Sequence, residues 1–377
     1  MIAMSQPSND RSLFHQLLGF LASDPDNLAL IADTASAAVD EGEPGAACDL
    51  IDRYEACAPL PPAMLNLKGV AEMGADRFEQ AAETFTALRN AGADTPAVRF
   101  NLAWALARAN QPERALALLD GEVIAAGPRG GALKVSLLHQ LERLDEALDC
   151  GAALAELHPD DQALMGALAS AALDAEQIDL ARGYAARSGS SHDGLATAGL
   201  LLLDEDRIAE SAAVFDRILL ADGSNARARL GKGLADLSRG DFGSAAEQID
   251  AAATGFGGHL GSWVAAGWAH YLRGDLETSR ARFETALALD DNFAETQGAL
   301  AVLDLARGDL EGARQRAEIA WRLDHNCFAA ALARSMLLER DGKATAAGKI
   351  RDAAMNFPIG PAGRTIARSL AARKGGA

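Results

Sequence analysis

Histidine and cysteine are the residue types in this chain that could support metal binding or acid–base and nucleophilic chemistry. The chain has seven histidines and four cysteines: His15, His139, His158, His192, His259, His270, His325, Cys48, Cys57, Cys150 and Cys327. None forms HExxH or CxxC, and the sequence contains no GxSxG nucleophile motif and no GxxxxGK[ST] phosphate loop. We therefore expect no catalytic residue, no metal site, no cofactor and no enzymatic activity. The cysteines fall in helical segments and are predicted to be buried free thiols.

A second motif is the phrase Arg-Gly-Asp, which occurs at residues 239–241, 273–275 and 307–309. Its glycines, Gly240, Gly274 and Gly308, are 34 residues apart. Each phrase lies between two apolar stretches with helical spacing, so we interpret it as a turn rather than an adhesion motif. The glycine would end one helix in the left-handed conformation, and the aspartate would cap the next.

The same spacing extends through most of the chain. Counting by 34 residues, with two shortened loops near residues 127–130 and 187–192, places ten polar residues between helices. They are Gly42, Asp76, Asn110, Glu142, Glu176, Asp206, Gly240, Gly274, Gly308 and Gly342. Two helices in each period of 34 residues indicate a tandem repeat array.

Small residues recur at two places in each period. The eighth position holds Ala35, Gly69, Ala103, Val135, Ala169, Gly199, Gly233, Gly267, Ala301 and Ser335. The twentieth holds Ala47, Ala81, Ala115, Ala147, Ala181, Ser211, Ala245, Ser279, Ala313 and Ala347. Small side chains allow two antiparallel helices to cross closely. In this pattern the chain resembles the tetratricopeptide repeats over residues 28–361.

This resemblance implies an all-α, right-handed α-α superhelix, a solenoid closed by helices at both ends. We expect an N-terminal tail and capping helix over residues 1–27, and a C-terminal capping helix and basic tail over 362–377. Between them lie ten predicted repeats: 28–61, 62–95, 96–127, 128–161, 162–191, 192–225, 226–259, 260–293, 294–327 and 328–361. They leave no length of chain for a separate catalytic domain.

The charge of the chain narrows the choice of partner. The formal net charge of −18 disfavours nucleic acid and anionic membrane surfaces, which bind basic proteins. No secretory signal and no membrane span is predicted, so we expect a cytoplasmic protein. Abundant alanine and arginine are typical of a GC-rich bacterial genome.

The resemblance also implies where a ligand would bind, because the fifth, ninth and twelfth positions of each first helix line the concave face in this family. The candidates for partner binding are Phe100, Trp104, Leu200, Leu234, Trp268, Tyr271, Val302, Leu332 and Met336. Such an apolar surface favours a partner protein or peptide with an apolar or amphipathic segment. The alternative is that these side chains are core between neighbouring helices.

Two other functions fit the same sequence. The first is a regulator gated by a small molecule or peptide near Trp268 and Tyr271. The second is a structural solenoid that self-associates, for example as a homodimer. A pocket with converging polar groups would favour the regulator, whereas a continuous apolar channel would favour an adaptor.

Overall fold

The fold is built from pairs of short antiparallel helices, as seen in a computed structural model. The structure describes residues 12–356 and the backbone of residues 358–359 and 364–365. The chain divides into two compact parts, residues 1–171 (the N-terminal half) and residues 172–377 (the C-terminal half). The division falls within helix α11 (Gln162–Asp174).

In the N-terminal half, most helices pack against the next along the chain. The helices are α1 (Leu13–Leu21), α2 (Leu28–Asp40), α3 (Pro44–Cys57), α4 (Pro62–Gly74), α5 (Phe78–Asn90), α6 (Pro96–Arg108), α7 (Pro112–Leu116), α8 (Gly121–Ala125), α9 (Pro128–Gln140) and α10 (Leu144–Leu157). The first helices of adjacent pairs, such as α2 with α4 and α4 with α6, are also in contact.

The C-terminal half repeats this arrangement. Its helices are α12 (Ile178–Arg187), α13 (His192–Asp204), α14 (Ile208–Ala221), α15 (Ala226–Arg239), α16 (Phe242–Phe256), α17 (Leu260–Arg273), α18 (Leu276–Leu289), α19 (Ala294–Arg307), α20 (Leu310–Leu323), α21 (Phe328–Arg340) and α22 (Ala344–Met355). The pairs fall inside the ten predicted repeats, whose limits remain a prediction.

The ten turn positions inferred from the spacing all have a positive φ. Five are glycines, and the other five are Asp76, Asn110, Glu142, Glu176 and Asp206, with φ between 56° and 60°. The three Arg-Gly-Asp turns behave as predicted. Asp241, Asp275 and Asp309 accept hydrogen bonds from the backbone N–H groups of Ser244, Thr278 and Gly312 at the start of the second helix. These phrases are therefore structural.

Glu142 and Glu176 occupy left-handed turns without the benefit of a glycine or a short polar side chain. The left-handed conformation costs a residue with a Cβ about 1–2 kcal/mol, and glycine costs about 0.5–1 kcal/mol in unfolded-state entropy. We expect Glu142→Gly to raise the free energy of unfolding by about 0.5–1 kcal/mol. Urea denaturation would measure this change.

The matched control is Glu83→Gly, at an exposed site within α5. It should lower the free energy of unfolding by about 1 kcal/mol, because glycine is a poor residue for a helix interior. Equal losses in Glu142→Gly and Glu83→Gly would contradict the assignment of strain to the turn.

The core is built on the small residues, and all twenty of the eighth and twentieth positions are buried. Large aromatic rings pack directly on glycine. A Cβ added to Gly199 would lie 2.7 Å from Cζ of Phe215, and one added to Gly231 would lie 2.1 Å from the same atom. Phe215 thus lies between two first helices, α13 and α15. The Ser211 hydroxyl donates a 2.8 Å hydrogen bond to the Gly199 carbonyl. This contact joins the two helices of one pair.

The two ends differ in how well the sequence predicts them. The N-terminal capping helix is present as α1, which buries Phe14 and Leu21; residues 1–11 lie outside the described part. The predicted C-terminal helix is wrong where it can be checked. Arg364–Thr365 forms strand β2, antiparallel to β1 (Pro358–Ile359). Glycine and proline at 360, 361 and 363 favour a turn over a helix. Residues 366–377 are not described.

The four cysteines are all free thiols but differ in exposure. Cys57 is exposed, contrary to the prediction of burial, because it ends α3. Cys327 is buried and precedes α21 rather than lying within a helix. Its thiol donates to the Glu295 carboxylate at 3.0 Å, and its sulfur accepts from the Ala330 N–H at 3.3 Å. Burial, followed by the charge of Glu295, raises the pKa of the Cys327 thiol well above its usual range.

These environments predict different thiol reactivity. At pH 8, iodoacetamide should alkylate Cys57 at least about tenfold faster than Cys327, because only a thiolate reacts and burial disfavours that form. Mass spectrometry of tryptic peptides over time would measure both rates. Cys57→Ser should remove the fast phase, and Cys327 should react fully only in denaturant. Rapid alkylation of native Cys327 would contradict the structure.

Candidate functional site

In the N-terminal half, the predicted binding residues Phe100 and Trp104 lie one turn apart on α6. Their ring centroids are 6.4 Å apart. Phe100 is half-buried against the core formed by α5, α6 and α9, whereas 42% of Trp104 is exposed. This exposure leaves the indole accessible to a partner.

In the C-terminal half, the predicted residues are more deeply packed. Trp268 is half-buried, with its ring 5.6 Å from Tyr271 and 5.5 Å from the fully buried Phe283. Tyr271, Leu332 and Met336 are also half-buried and, like Trp268, pack against the core that includes Val302 and Leu305. Trp268 is therefore mainly a packing residue that keeps part of its surface accessible.

Val302 has to be removed from the candidate surface. Its side chain is wholly buried, since α19 is covered by α17, α20 and α21. Leu200 and Leu234 are half-buried on α13 and α15. The two alternatives for these positions, groove and core, thus both apply: Trp104 faces solvent, Val302 is core and the others lie between.

Sequence reasoning missed a pocket beside Phe100. It has a volume of about 310 Å³ and lies between the start of α6, α8 and the start of α9. Its walls come mainly from Phe100, Val123, Pro128 and Arg129, with Asn101 as a polar group. The guanidinium of Arg129 lies 5.3 Å from the centroid of the Phe100 ring. The sequence signal for this pocket is the pair Asp120-Gly121. It interrupts the segment that the repeat pattern predicts to be one continuous second helix.

A larger polar pocket of about 620 Å³ lies in the C-terminal half, among α18, α19 and α20. Its buried Asp304 accepts a hydrogen bond from Arg280 and forms an ion pair with Arg316 at 3.2 Å. Arg307 pairs with Glu277. The arginines that line this pocket are thus paired with carboxylates. Neither Trp268 nor Tyr271 is among its lining residues. The pocket gives no support to a ligand-gated site at those two residues.

One histidine–carboxylate pair has the composition of an acid–base site. Buried His270 lies 2.9 Å from Asp250 through Nε2, and Arg282 donates two hydrogen bonds to the same carboxylate. Although burial raises the pKa of Asp250, hydrogen bonds from Arg282 and His270 outweigh it, and the pKa is below its usual value. A carboxylate held ionised between three helices is a structural link.

The described residues include no group of three or more histidine, cysteine, aspartate or glutamate side chains arranged to hold a metal ion. None of the helices in the described part is long and apolar enough to span a membrane. What the geometry presents is a series of helix pairs with aromatic and aliphatic side chains on their first helices. This arrangement defines a helical-repeat protein of the type used for binding.

A family model described as a tetratricopeptide repeat matches residues 66–130 and 197–259. The chain is a tetratricopeptide-repeat protein. No curated protein matches its sequence significantly.

Two solved structures show the same fold over most of the chain. A human IFIT1 dimer with PPP-AAAA is 12% identical, with a TM-score of 0.55, covering 93% of this chain and 95% of that one. The Cut9 and Hcn1 hetero-tetramer of the APC/C gives 13% identity and a TM-score of 0.58, covering 91% of this chain and 76% of that one. At these identities the likeness establishes the fold alone. Tetratricopeptide repeats are typical of non-catalytic interaction scaffolds.

Proposed function

We propose that this protein is a non-catalytic scaffold or adaptor that binds a partner helix or apolar peptide segment on the first helices of its repeats. The observation that carries the proposal is the exposed Trp104 beside Phe100 on α6. Tryptophan is enriched among residues that dominate binding energy, and an accessible tryptophan on a packed helix supplies a rigid anchor.

Four further candidate residues offer a second apolar contact, within the C-terminal half. Trp268, Tyr271, Leu332 and Met336 each keep part of their apolar surface accessible. An amphipathic helix would place side chains three and four residues apart against them.

Charge supports a protein partner over a nucleic acid. The IFIT1 structure was solved with PPP-AAAA, but this chain carries a formal charge of −18. Binding to a polyphosphate backbone depends on neutralising it with lysine and arginine. We propose a cytoplasmic location and protein or peptide partners.

The test is affinity capture from lysate of the source organism, comparing the wild type with Trp104→Ala. Mass spectrometry of the retained proteins should identify a partner that is lost in Trp104→Ala, because a central anchor typically contributes about 2 kcal/mol or more. Phe20→Ala is the matched control, since Phe20 is an aromatic residue that is 64% exposed on α1 in the same half.

Three results would contradict the proposal. A partner retained equally by Trp104→Ala would place binding elsewhere. Loss in both variants would show nonspecific capture through exposed aromatic rings. An empty wild-type lane together with a dimer in sedimentation would favour the self-associating solenoid.

A further inference from the structure

We propose that the pocket beside Phe100 binds one bulky apolar side chain of the partner and that Arg129 binds a carboxylate next to that side chain. This inference rests on the proposed function and specifies the partner segment. It assigns recognition to a place where the repeat pattern is broken.

The pocket exists because the second helix of the third predicted repeat is interrupted. In most other pairs the second helix runs for 12 to 15 residues, but here α7 and α8 have five residues each. Asp120 starts α8 by accepting hydrogen bonds from the N–H groups of Glu122 at 3.1 Å and Val123 at 3.0 Å. The restart turns α8 across the beginning of α6 and α9. A cleft opens between them.

The walls of this cleft are fixed rather than loosely packed. Val123 is 2% exposed and anchors α8 in the core. A Cβ added to Gly130 would lie 3.0 Å from the carbonyl oxygen of Val123, so α9 approaches the backbone of α8 closely. A volume of about 310 Å³ is at the lower end for a ligand pocket and suits one large side chain rather than a cofactor.

Arg129 gives the pocket its charge preference. Neighbouring Arg99 contacts Asp94, Asp120 and Glu122. Among the described residues, Arg129 forms no salt bridge; its recorded contact is with the face of Phe100. An arginine stacked on a ring keeps N–H donors at its edge, in the geometry that suits a carboxylate.

The backbone adds to this preference. The helix α9 starts at Pro128 without a side-chain cap, so the amide groups of its first turn also favour a negative charge. Aromatic ring, apolar pocket and unpaired guanidinium together select an apolar residue with an adjacent acid. The carboxylate is that of an acidic side chain adjacent to the apolar residue.

The test uses the full chain labelled with 5-fluorotryptophan, whose four tryptophans give four ¹⁹F resonances. Trp104→Phe identifies the resonance of Trp104. N-acetylphenylalanine, its amide, and the amide of the dipeptide N-acetyl-Phe-Asp are titrated separately. The dipeptide presents the acidic side chain, N-acetylphenylalanine presents a terminal carboxylate instead, and the amide of N-acetylphenylalanine carries no charge.

We expect the dipeptide to shift the Trp104 resonance saturably, with an affinity about tenfold higher than that of the uncharged amide. Arg129→Gln should remove this difference. Arg108→Gln is the matched control, because Arg108 lies 4.6 Å from the centroid of the Phe78 ring in the same half but does not line the pocket. It should bind like the wild type.

The inference is overturned if the dipeptide does not shift the Trp104 resonance, if it binds no more tightly than the uncharged amide or than N-acetylphenylalanine, or if Arg129→Gln has no effect. Its failure differs from failure of the proposed function. A partner lost in Trp104→Ala but retained by Arg129→Gln would leave the adaptor standing without the carboxylate site. Arg129-dependent binding of the probe, without any partner whose capture depends on Trp104, would support the carboxylate site and contradict the adaptor.

Discussion

Replacing Phe215 by alanine should lower the free energy of unfolding of the C-terminal half by about 3–5 kcal/mol, the range for truncating a buried aromatic residue. Phe215 is fully buried and its ring lies against Gly199 and Gly231. Because glycine has no side chain that could move into the space, the cavity would stay largely open. The urea denaturation midpoint, followed by circular dichroism, measures the effect.

Leu220→Ala is the matched control on the same helix. Leu220 is 90% exposed, so its truncation should change the free energy of unfolding by less than about 0.5 kcal/mol. If Phe215→Ala is no more destabilising than Leu220→Ala, the aromatic ring does not fill the gap between the first helices. The packing assigned to the repeats would then be wrong.

The second large effect separates the two tryptophans that the sequence treats alike. Trp268→Ala should lower the free energy of unfolding by about 2–3 kcal/mol, because the indole packs on Phe283 and Tyr271. Trp104→Ala should cost about 1 kcal/mol or less, since 42% of Trp104 is exposed and α6 remains packed without it. Parallel urea titrations of the two variants give both values.

Equal and large losses in the two variants would show that Trp104 is a core residue, and the candidate surface in the N-terminal half would lose its anchor. Equal and small losses would show that Trp268 contributes as little as Trp104 to the free energy of unfolding. Trp268 would then become the better candidate for partner binding.

The sequence predicts the helix pairs well because their determinants are local. The turn between two apolar helices needs a residue that adopts a positive φ. The spacing of 34 residues locates all ten of these turn positions, including Glu142 and Glu176. The small residues at the crossings are similarly readable, because close helix contact excludes large side chains at fixed places in the period.

Exposure cannot be read from the same period. Trp104 and Trp268 occupy equivalent positions, but Trp268 packs on Phe283 whereas Trp104 has no such cover. Val302 at the next equivalent position is wholly buried. These differences depend on neighbouring helices.

Departures from the period were also missed. The break at Asp120 creates the pocket beside Phe100, and a helix was expected where the chain forms a strand at Arg364–Thr365. In both places the sequence contains glycine next to a residue that favours a turn. The prediction followed the repeat pattern instead of this local signal.

The central claim, that the exposed face of α6 binds a protein partner, is tested most directly by photo-crosslinking in cells of the source organism. Benzoylphenylalanine would replace Trp104 in one variant and Phe20 in another. The account predicts a discrete protein adduct from position 104 alone, with the crosslink in a segment that carries a bulky apolar residue. Adducts that are the same from both positions, or an adduct with nucleic acid, would contradict it.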